Sequence, residues 1–282
     1  MTLLATVKTD DFGTIAVRRR DCPICGRNND GVPPNGYSHG PWAIKECPEC
    51  RFVYIDSAPQ YEVQFETMAW ERTSKIEEQR RAKLRPISYQ ASKRTRFRMH
   101  IFPKRTMLGH IAARIGEGNI LDLGCASGLA MADFPISFTP FGIEISTQAA
   151  ETADRAFRAR GGYAINAPSL EGLRHFPEGF FAAASLRSYL EHEANPLPVL
   201  ENLRRVLAAD GFAVVKVPNY ASLNRRVMGP RWCGFRHPDH LNYFTPLTLG
   251  RMAAKAGFRI SFGLTGRLPT SDNMWALLTK RG

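Results

Sequence analysis

No apolar run in the chain approaches the ~20 residues that a bilayer-spanning helix requires. The amino terminus mixes Lys8, Asp10 and Asp11 into its first turns and has no apolar core of the secretory kind. A cytoplasmic protein without a membrane span is the expectation. Cysteine is scarce, six in 282 residues, which excludes a disulfide-dense scaffold. Internal repeats and low-complexity tracts are missing as well. Acidic residues are outnumbered, 26 against 38 basic ones, and the net charge of +12 favours anionic partners such as nucleic acid, nucleotide conjugates or acidic lipid surfaces. What is plentiful is apolar material, 44% of the chain with 23% charged. That is enough for a core and excludes wholesale disorder, and the length bounds the chain to one large domain or a domain with a satellite.

Four of the six cysteines fall into two pairs, Cys22/Cys25 and Cys47/Cys50, each reading Cys-Pro-x-Cys. Two such knuckles, joined by a 21-residue loop, close a tetrahedron of sulfurs around one ion. Gly26 supplies the permissive backbone of the first knuckle, whereas Arg51 stands at the matching place in the second. A structural zinc site is the reading, with every ligand position taken by sulfur. Two disulfides or four free thiols are the alternatives.

Residues 1–60 read as short strands and turns, among them Thr14–Val17 and Phe52–Ile55. A unit this small needs a metal to supplement its core. Residues 61–115 read as a basic connector of several short helices, interrupted by Pro86 and Pro103. Within it, residues 72–105 hold twelve Lys/Arg and two Glu, so this stretch carries most of the net charge. From residue 116 to 282 apolar β runs alternate with helical segments, the signature of a parallel α/β sheet. Strands are expected at Asn119–Leu123, Phe141–Ile145, Tyr163–Ile165, Phe181–Leu186, Phe212–Val217, Phe258–Leu264 and Asn273–Thr279. Helices are expected after the first two strands, at Leu197–Leu207, and at Leu247–Ala256 before Gly257.

The most informative run is Asn119-Ile-Leu-Asp-Leu-Gly-Cys-Ala-Ser-Gly128, a strand breaking into a glycine-bounded turn and then a helix. Doubly wound sheets place their ligands at such a turn. Dinucleotides need Gly-x-Gly-x-x-Gly, the middle glycine making room for the pyrophosphate, but Cys125 and Ala126 follow Gly124 here. Twenty residues on, Glu144 ends the run Phe141-Gly-Ile-Glu-Ile145, where a carboxylate accepts hydrogen bonds from both hydroxyls of a ribose. The pair points to a nucleoside cofactor without a pyrophosphate.

These residues resemble motifs I and II of the class I S-adenosylmethionine-dependent methyltransferases. The resemblance implies an α/β, doubly wound, mostly parallel seven-stranded Rossmann-like sheet, with a small N-terminal zinc-ribbon domain. It also implies that Gly124, Cys125 and Gly128 line the methionine and ribose portions of the cofactor. Asp122 would orient the loop or reach the methionine amino group through water, and Glu144 would hold the ribose. Asn166 and Ala167 match the place beside the adenine. The segment Ser185-Leu-Arg-Ser-Tyr-Leu-Glu-His192 matches the stretch after strand four, which adds Leu186 to the cofactor set.

Methyl transfer from a sulfonium is an in-line displacement, so the protein holds the acceptor near the methyl and removes a proton where the acceptor carries one. Candidate groups are His192, just after strand four, and a polar and aromatic loop holding Trp232, Arg236, His237, His240 and Tyr243. His240 is the first candidate for base or orienting group, followed by His237 and His192. For His237 and His240 the alternative is loop structure, with Asp239 as a partner. Arg231 and Arg236 suit a phosphate or carboxylate. The cysteine ribbon, the α/β core and His-Pro-Asp-His-Leu-Asn-Tyr-Phe-Thr-Pro246 together resemble a bacterial group that includes sugar-nucleotide C-methyltransferases and polysaccharide-cluster methyltransferases. That resemblance implies a small anionic acceptor such as a sugar-nucleotide, methylated at oxygen or carbon. An RNA acceptor tracked by residues 72–105 is the alternative. Aromatics for base stacking are few there, Tyr89 and Phe97 among them. A third reading is a binding protein with a degenerate core, against which the intact loop and Glu144 stand.

Overall fold

The computed structural model describes residues 4–9, 13–60, 106–263 and 266–281. The basic stretch 72–105 and most of the helices expected around it lie outside the described residues. In chain order the elements are β1 (Leu4–Thr9), β2 (Gly13–Arg19), β3 (Ile44–Glu46), β4 (Val53–Ile55), β5 (Ser57–Pro59), α1 (Met107–Ala112) and β6 (Gly118–Leu123). There follow α2 (Leu129–Ala132), β7 (Phe138–Glu144), α3 (Thr147–Arg158), β8 (Tyr163–Asn166), α4 (Ser169–Arg174), β9 (Phe181–Arg187) and α5 (Pro196–Val206). The chain continues through β10 (Leu207–Pro218), α6 (Leu223–Met228), β11 (Asn242–Tyr243), α7 (Pro246–Lys255), β12 (Phe258–Ser261) and β13 (Asn273–Lys280). Among the described residues no helix is long and apolar enough to cross a membrane.

Seven strands form one sheet in the order β12-β13-β10-β9-β6-β7-β8. The five from β10 to β8 are parallel, and β13 runs antiparallel to both of its neighbours. The central strands are buried on both faces, which explains why they read as nearly unbroken apolar runs. Met107, Ile111, Met131 and Phe157 bring α1, α2 and α3 against one face. Leu173, Leu200, Leu203, Leu249 and Met252 bring α4, α5 and α7 against the other. The expected doubly wound architecture is therefore present.

Several boundaries differ from expectation for local reasons. Strand β10 begins at Leu207, five residues early, with its register against β9 broken between Leu207 and Phe212. At that break sits Gly211, where a Cβ would fall 2.8 Å from the Ala208 nitrogen. Helices α4 and α6, six residues each, are too short to show a helical period.

The amino-terminal strands do not stand apart from this core. Strand β11, two residues drawn from the loop before α7, pairs antiparallel with β4, Asn242 opposite Tyr54 and Tyr243 opposite Val53. Ile15, Val17, Trp42, Ile44 and Ile55 share a core with Trp232, Phe235, Leu241 and Tyr243. Arg20 fixes the joint: its guanidinium donates to the carbonyls of Ala194 (3.1 Å) and Ile55 (3.0 Å) and to Asn242 Oδ1 (2.8 Å). From the other side, Arg251 and Lys255 on α7 each donate over 2.6 Å, to the carbonyls of Cys50 and Ile24 respectively.

Gly142 in β7 faces the turn after β6, and a Cβ there would lie 2.5 Å from Cys125 Sγ and 2.9 Å from the Phe157 ring. Gly142→Ala is expected to cost about 1–3 kcal/mol through overpacking, read as a lowered denaturant midpoint. Adding Cys125→Ala should recover part of that loss, whereas a purely additive pair would show that the contact does not control the packing.

Candidate active site

The turn after β6 is built from backbone. The carbonyl of Ile143 accepts from the N–H groups of both Gly124 (2.9 Å) and Cys125 (3.3 Å), and Gly128 N–H donates to the Cys125 carbonyl (2.9 Å). Gly124 and Gly128 hold φ of 69° and 79°, and Ala126 between them holds 47°, an uncommon value for a residue with a side chain. Gly128 also lets α3 close in, since a Cβ there would lie 2.9 Å from the Phe157 ring. Strain of this kind persists where surrounding contacts enforce it. Here the contact is Glu144, whose Oε2 accepts from Ala126 N–H and whose Oε1 accepts from Ser146 N–H, both at 2.9 Å. Each carboxylate oxygen keeps a further lone pair for a ligand.

Asp122 is buried beneath the turn. Burial raises its pKa to about 7, against the pull of the Ser185 hydroxyl and Arg187. Cys125 is buried as well, its thiol pushed far up by burial. The Asn166 amide donates to the carbonyls of Glu144 (3.0 Å) and Ile145 (2.9 Å) and accepts from the Thr147 hydroxyl (3.0 Å). It thereby clamps the ends of β7 and β8. Ala167 N–H donates to the Glu144 carbonyl (3.2 Å). The Leu186 side chain lies wholly within the core.

A second cluster forms after β9. The His192 ring contacts Asp239 through Nδ1, 3.0 Å from Oδ1 and 2.9 Å from the carbonyl, while Arg236 pairs with the other carboxylate oxygen at 2.9 Å. Burial alone would depress the His192 pKa, but the Asp239 charge and hydrogen bond outweigh it and raise the value to about 9. Asp239 is held far below the carboxylate range, burial being overcome by His192 and Arg236. His240 is 5% exposed, with Nδ1 2.9 Å from the Gly234 carbonyl, and burial followed by the neighbouring His192 drives its pKa down. The two imidazoles meet edge to face, centroids 4.7 Å apart. Glu191 joins them, buried, with its pKa raised by that burial. One ligand-type atom each of Glu191, His192 and His240 lies within 4.8 Å of the others.

His237 is placed differently. Its ring lies parallel to Phe235 at 6.1 Å, and His39 stands 5.9 Å away. Phe235 in turn stacks on Tyr37 at 4.7 Å, so aromatic residues of the amino-terminal unit form one side of this region. Asp239, expected as a partner of His237 or His240, pairs with His192 across 47 residues. Tyr37, His39 and Arg20 are contributions that the sequence did not single out, and no local pattern marks them.

The four knuckle cysteines converge. Cys22 Sγ lies 3.3 Å from Cys50 Sγ, and Cys25 Sγ lies 3.5 Å from Cys47 Sγ, with all four within 4.8 Å. These spacings are far beyond the ~2.05 Å of a disulfide. The knuckles match each other: Gly26 N–H donates to the Cys22 carbonyl and Arg51 N–H to the Cys47 carbonyl, both at 2.8 Å. Arg51 adopts the left-handed φ of 62° that Gly26 adopts at 77°, and its guanidinium pairs with Glu46 at 2.6 Å.

Comparison with known proteins finds similar folds and one matching family. No curated protein is significantly similar to the chain in sequence. Among solved structures, the chain is similar to an S-adenosylmethionine-dependent methyltransferase from Archaeoglobus fulgidus, with a TM-score of 0.49 and 17% identity over 71% of this chain and 97% of that one. It is also similar to the 1,6-didemethyltoxoflavin-N1-methyltransferase of Burkholderia thailandensis, crystallised with bound 1,6-didemethyltoxoflavin and S-adenosylhomocysteine. There the TM-score is 0.45, with 18% identity over 61% and 75% of the two chains. The model of a methyltransferase-domain family matches residues 78–261. The chain belongs to that family and is an S-adenosylmethionine-dependent methyltransferase.

Proposed function

We propose that the chain methylates a small anionic acceptor, a sugar or sugar-nucleotide, at the edge of the sheet where β6, β7 and β9 end. The observation that carries this reading is the pairing of two unlike ends: a backbone cradle clamped by Glu144, and a charged, aromatic cluster of His192, Asp239, Arg236 and His237. The backbone of Gly124, Cys125 and Gly128 takes the methionine and ribose portions of the cofactor. Glu144 accepts from the ribose hydroxyls, and Asp122 reaches the amino group through water. Asn166 and Ala167 shape the adenine edge, with Leu186 supporting the floor from beneath.

S-adenosylmethionine supplies an electrophilic methyl on sulfonium sulfur. An acceptor lone pair would displace it, the C–S electron pair staying on sulfur, and where no ion is bound the acceptor proton would pass to His240, the imidazole that burial keeps neutral. Arg236 offers a fixed positive charge to a phosphate or carboxylate. The ring stack around His237 offers a flat face to a sugar or base.

The four cysteines hold a structural zinc ion in this reading, since sulfur fills each ligand position and none is left for water. Their placement favours a bracing role, because the knuckle backbone is bonded to α7 through Arg251 and Lys255.

Glu144→Ala is expected to weaken S-adenosylhomocysteine binding by about 1.5–3 kcal/mol, roughly ten- to a hundredfold, as charged hydrogen bonds to the ribose and to Ala126 are lost. Glu144→Gln should fall between the two in calorimetry, and equal binding by all three would sink the ribose assignment. Labelled methyl from S-adenosylmethionine is expected in a small anionic fraction of cell extract that resists ribonuclease, with Glu144→Ala as the blank. Label confined to ribonuclease-sensitive material would overturn the sugar reading in favour of RNA. Cys47→Ser is expected to lose the zinc and lower the melting temperature. Full zinc content in that variant would remove the ribbon assignment.

A further inference from the structure

We infer that Glu191, His192 and His240 form a second metal site, for a divalent transition-metal ion, at the acceptor end of the cleft. This deepens the methyl-transfer reading and rests on it only for the ion's place beside the acceptor.

Three independent observations converge on the site. The first is proximity, one ligand-type atom from each residue lying within 4.8 Å of the other two. Around a tetrahedral ion with bonds near 2.1 Å, ligand atoms stand about 3.4 Å apart. The second is the setting of the two imidazoles. His192 Nδ1 is bonded to Asp239, by its carboxylate and its carbonyl, and His240 Nδ1 to the Gly234 carbonyl. Both carbonyls are acceptors, so both rings carry a proton on Nδ1, which leaves Nε2 as the ligand atom; on His192 the ion would take the place of the Nε2 proton. Metal-binding histidines are held in this way, the far nitrogen anchored to a carboxylate or a backbone carbonyl.

The third observation is Glu191 itself. It is 1% exposed, and among the described residues its Oε2 has no hydrogen-bond partner. A buried carboxylate oxygen left unpaired is expensive, and an ion would satisfy it. Lys216, whose charge acts on Glu191, is set over the Trp275 ring at 5.9 Å. Two imidazole nitrogens and one carboxylate oxygen suit zinc, manganese or iron and leave positions open for a substrate. The opening is on the His192 side, where the side chain is 26% exposed. A hydroxyl reaching the ion from there would lose its proton more readily.

The test uses the full chain, stripped of metal and titrated with cobalt(II). The expected result is about two ions per chain. One gives the intense thiolate-to-cobalt absorption of the cysteine site; the other gives only the weak bands of nitrogen and oxygen ligands. Glu191→Gln and His240→Gln should each lose the second ion while the thiolate band stays intact, which also reports that the ribbon remains folded. A single ion in the native chain, or a second one undiminished in both variants, would overturn the proposal. S-adenosylhomocysteine binding, measured by calorimetry on the same samples, tests the cofactor reading separately.

Discussion

One carbonyl, that of Ile143, accepts from two successive N–H groups across the gap between β6 and β7, Gly124 at 2.9 Å and Cys125 at 3.3 Å. This double acceptance bends the chain sharply after Leu123 and brings Ala126 over the end of β7. Only then does Ala126 N–H fall within 2.9 Å of the Glu144 carboxylate one residue further along. The carboxylate thus stabilises a strained turn, and in the proposed reading its remaining lone pairs take the ribose. Gly142 makes the arrangement possible from below, because any side chain there would displace Cys125. The cofactor end is accordingly a backbone construction, with one carboxylate closing it.

The proposed acceptor end is made differently. Its residues come from the segment after β9, from the loop before α7 and from the amino-terminal unit. The first two are short and irregular, and they pack on the strands of the third. What fixes them is mutual pairing. Strand β11 completes a three-stranded sheet with β4 and β3, Arg20 gathers carbonyls from three parts of the chain, and Asp239 ties His192 to Arg236. Removing one partner leaves buried polar groups unsatisfied in the others, the costly direction of hydrogen-bond loss.

This contrast explains what the sequence discloses. Strands β6, β7 and β9, helices α3, α5 and α7, and the pairing of Gly124 with Glu144 were legible because a β-α-β unit is local. Its ligand turn and its carboxylate sit a fixed distance apart in the chain. The Cys-Pro-x-Cys knuckles were legible for the same reason, although Arg51 shows that the left-handed position after a knuckle need not be glycine. The His192–Asp239 pair spans 47 residues and the Arg20–Leu241 contact 221, and no periodicity encodes either. Strand β11, two residues long, has no period to detect.

The division has a functional corollary. Two clusters, one local and one long-range, respond to different perturbations. The bonds that hold the turn run between β6, β7 and Glu144, with none from the amino-terminal unit among those described. The histidine cluster needs the ribbon, the loop before α7 and the end of β9 to arrive together, so its order is the more costly in chain entropy. A bound ion at Glu191, His192 and His240 would bind the folded arrangement only, and its binding energy would add directly to the stability of that end. The ribbon ion would act in the same sense from behind, through β4 and β11. With both proposed sites filled, two metals on either side of one irregular loop would give that loop the fixed shape that holding an acceptor in line with a methyl group requires.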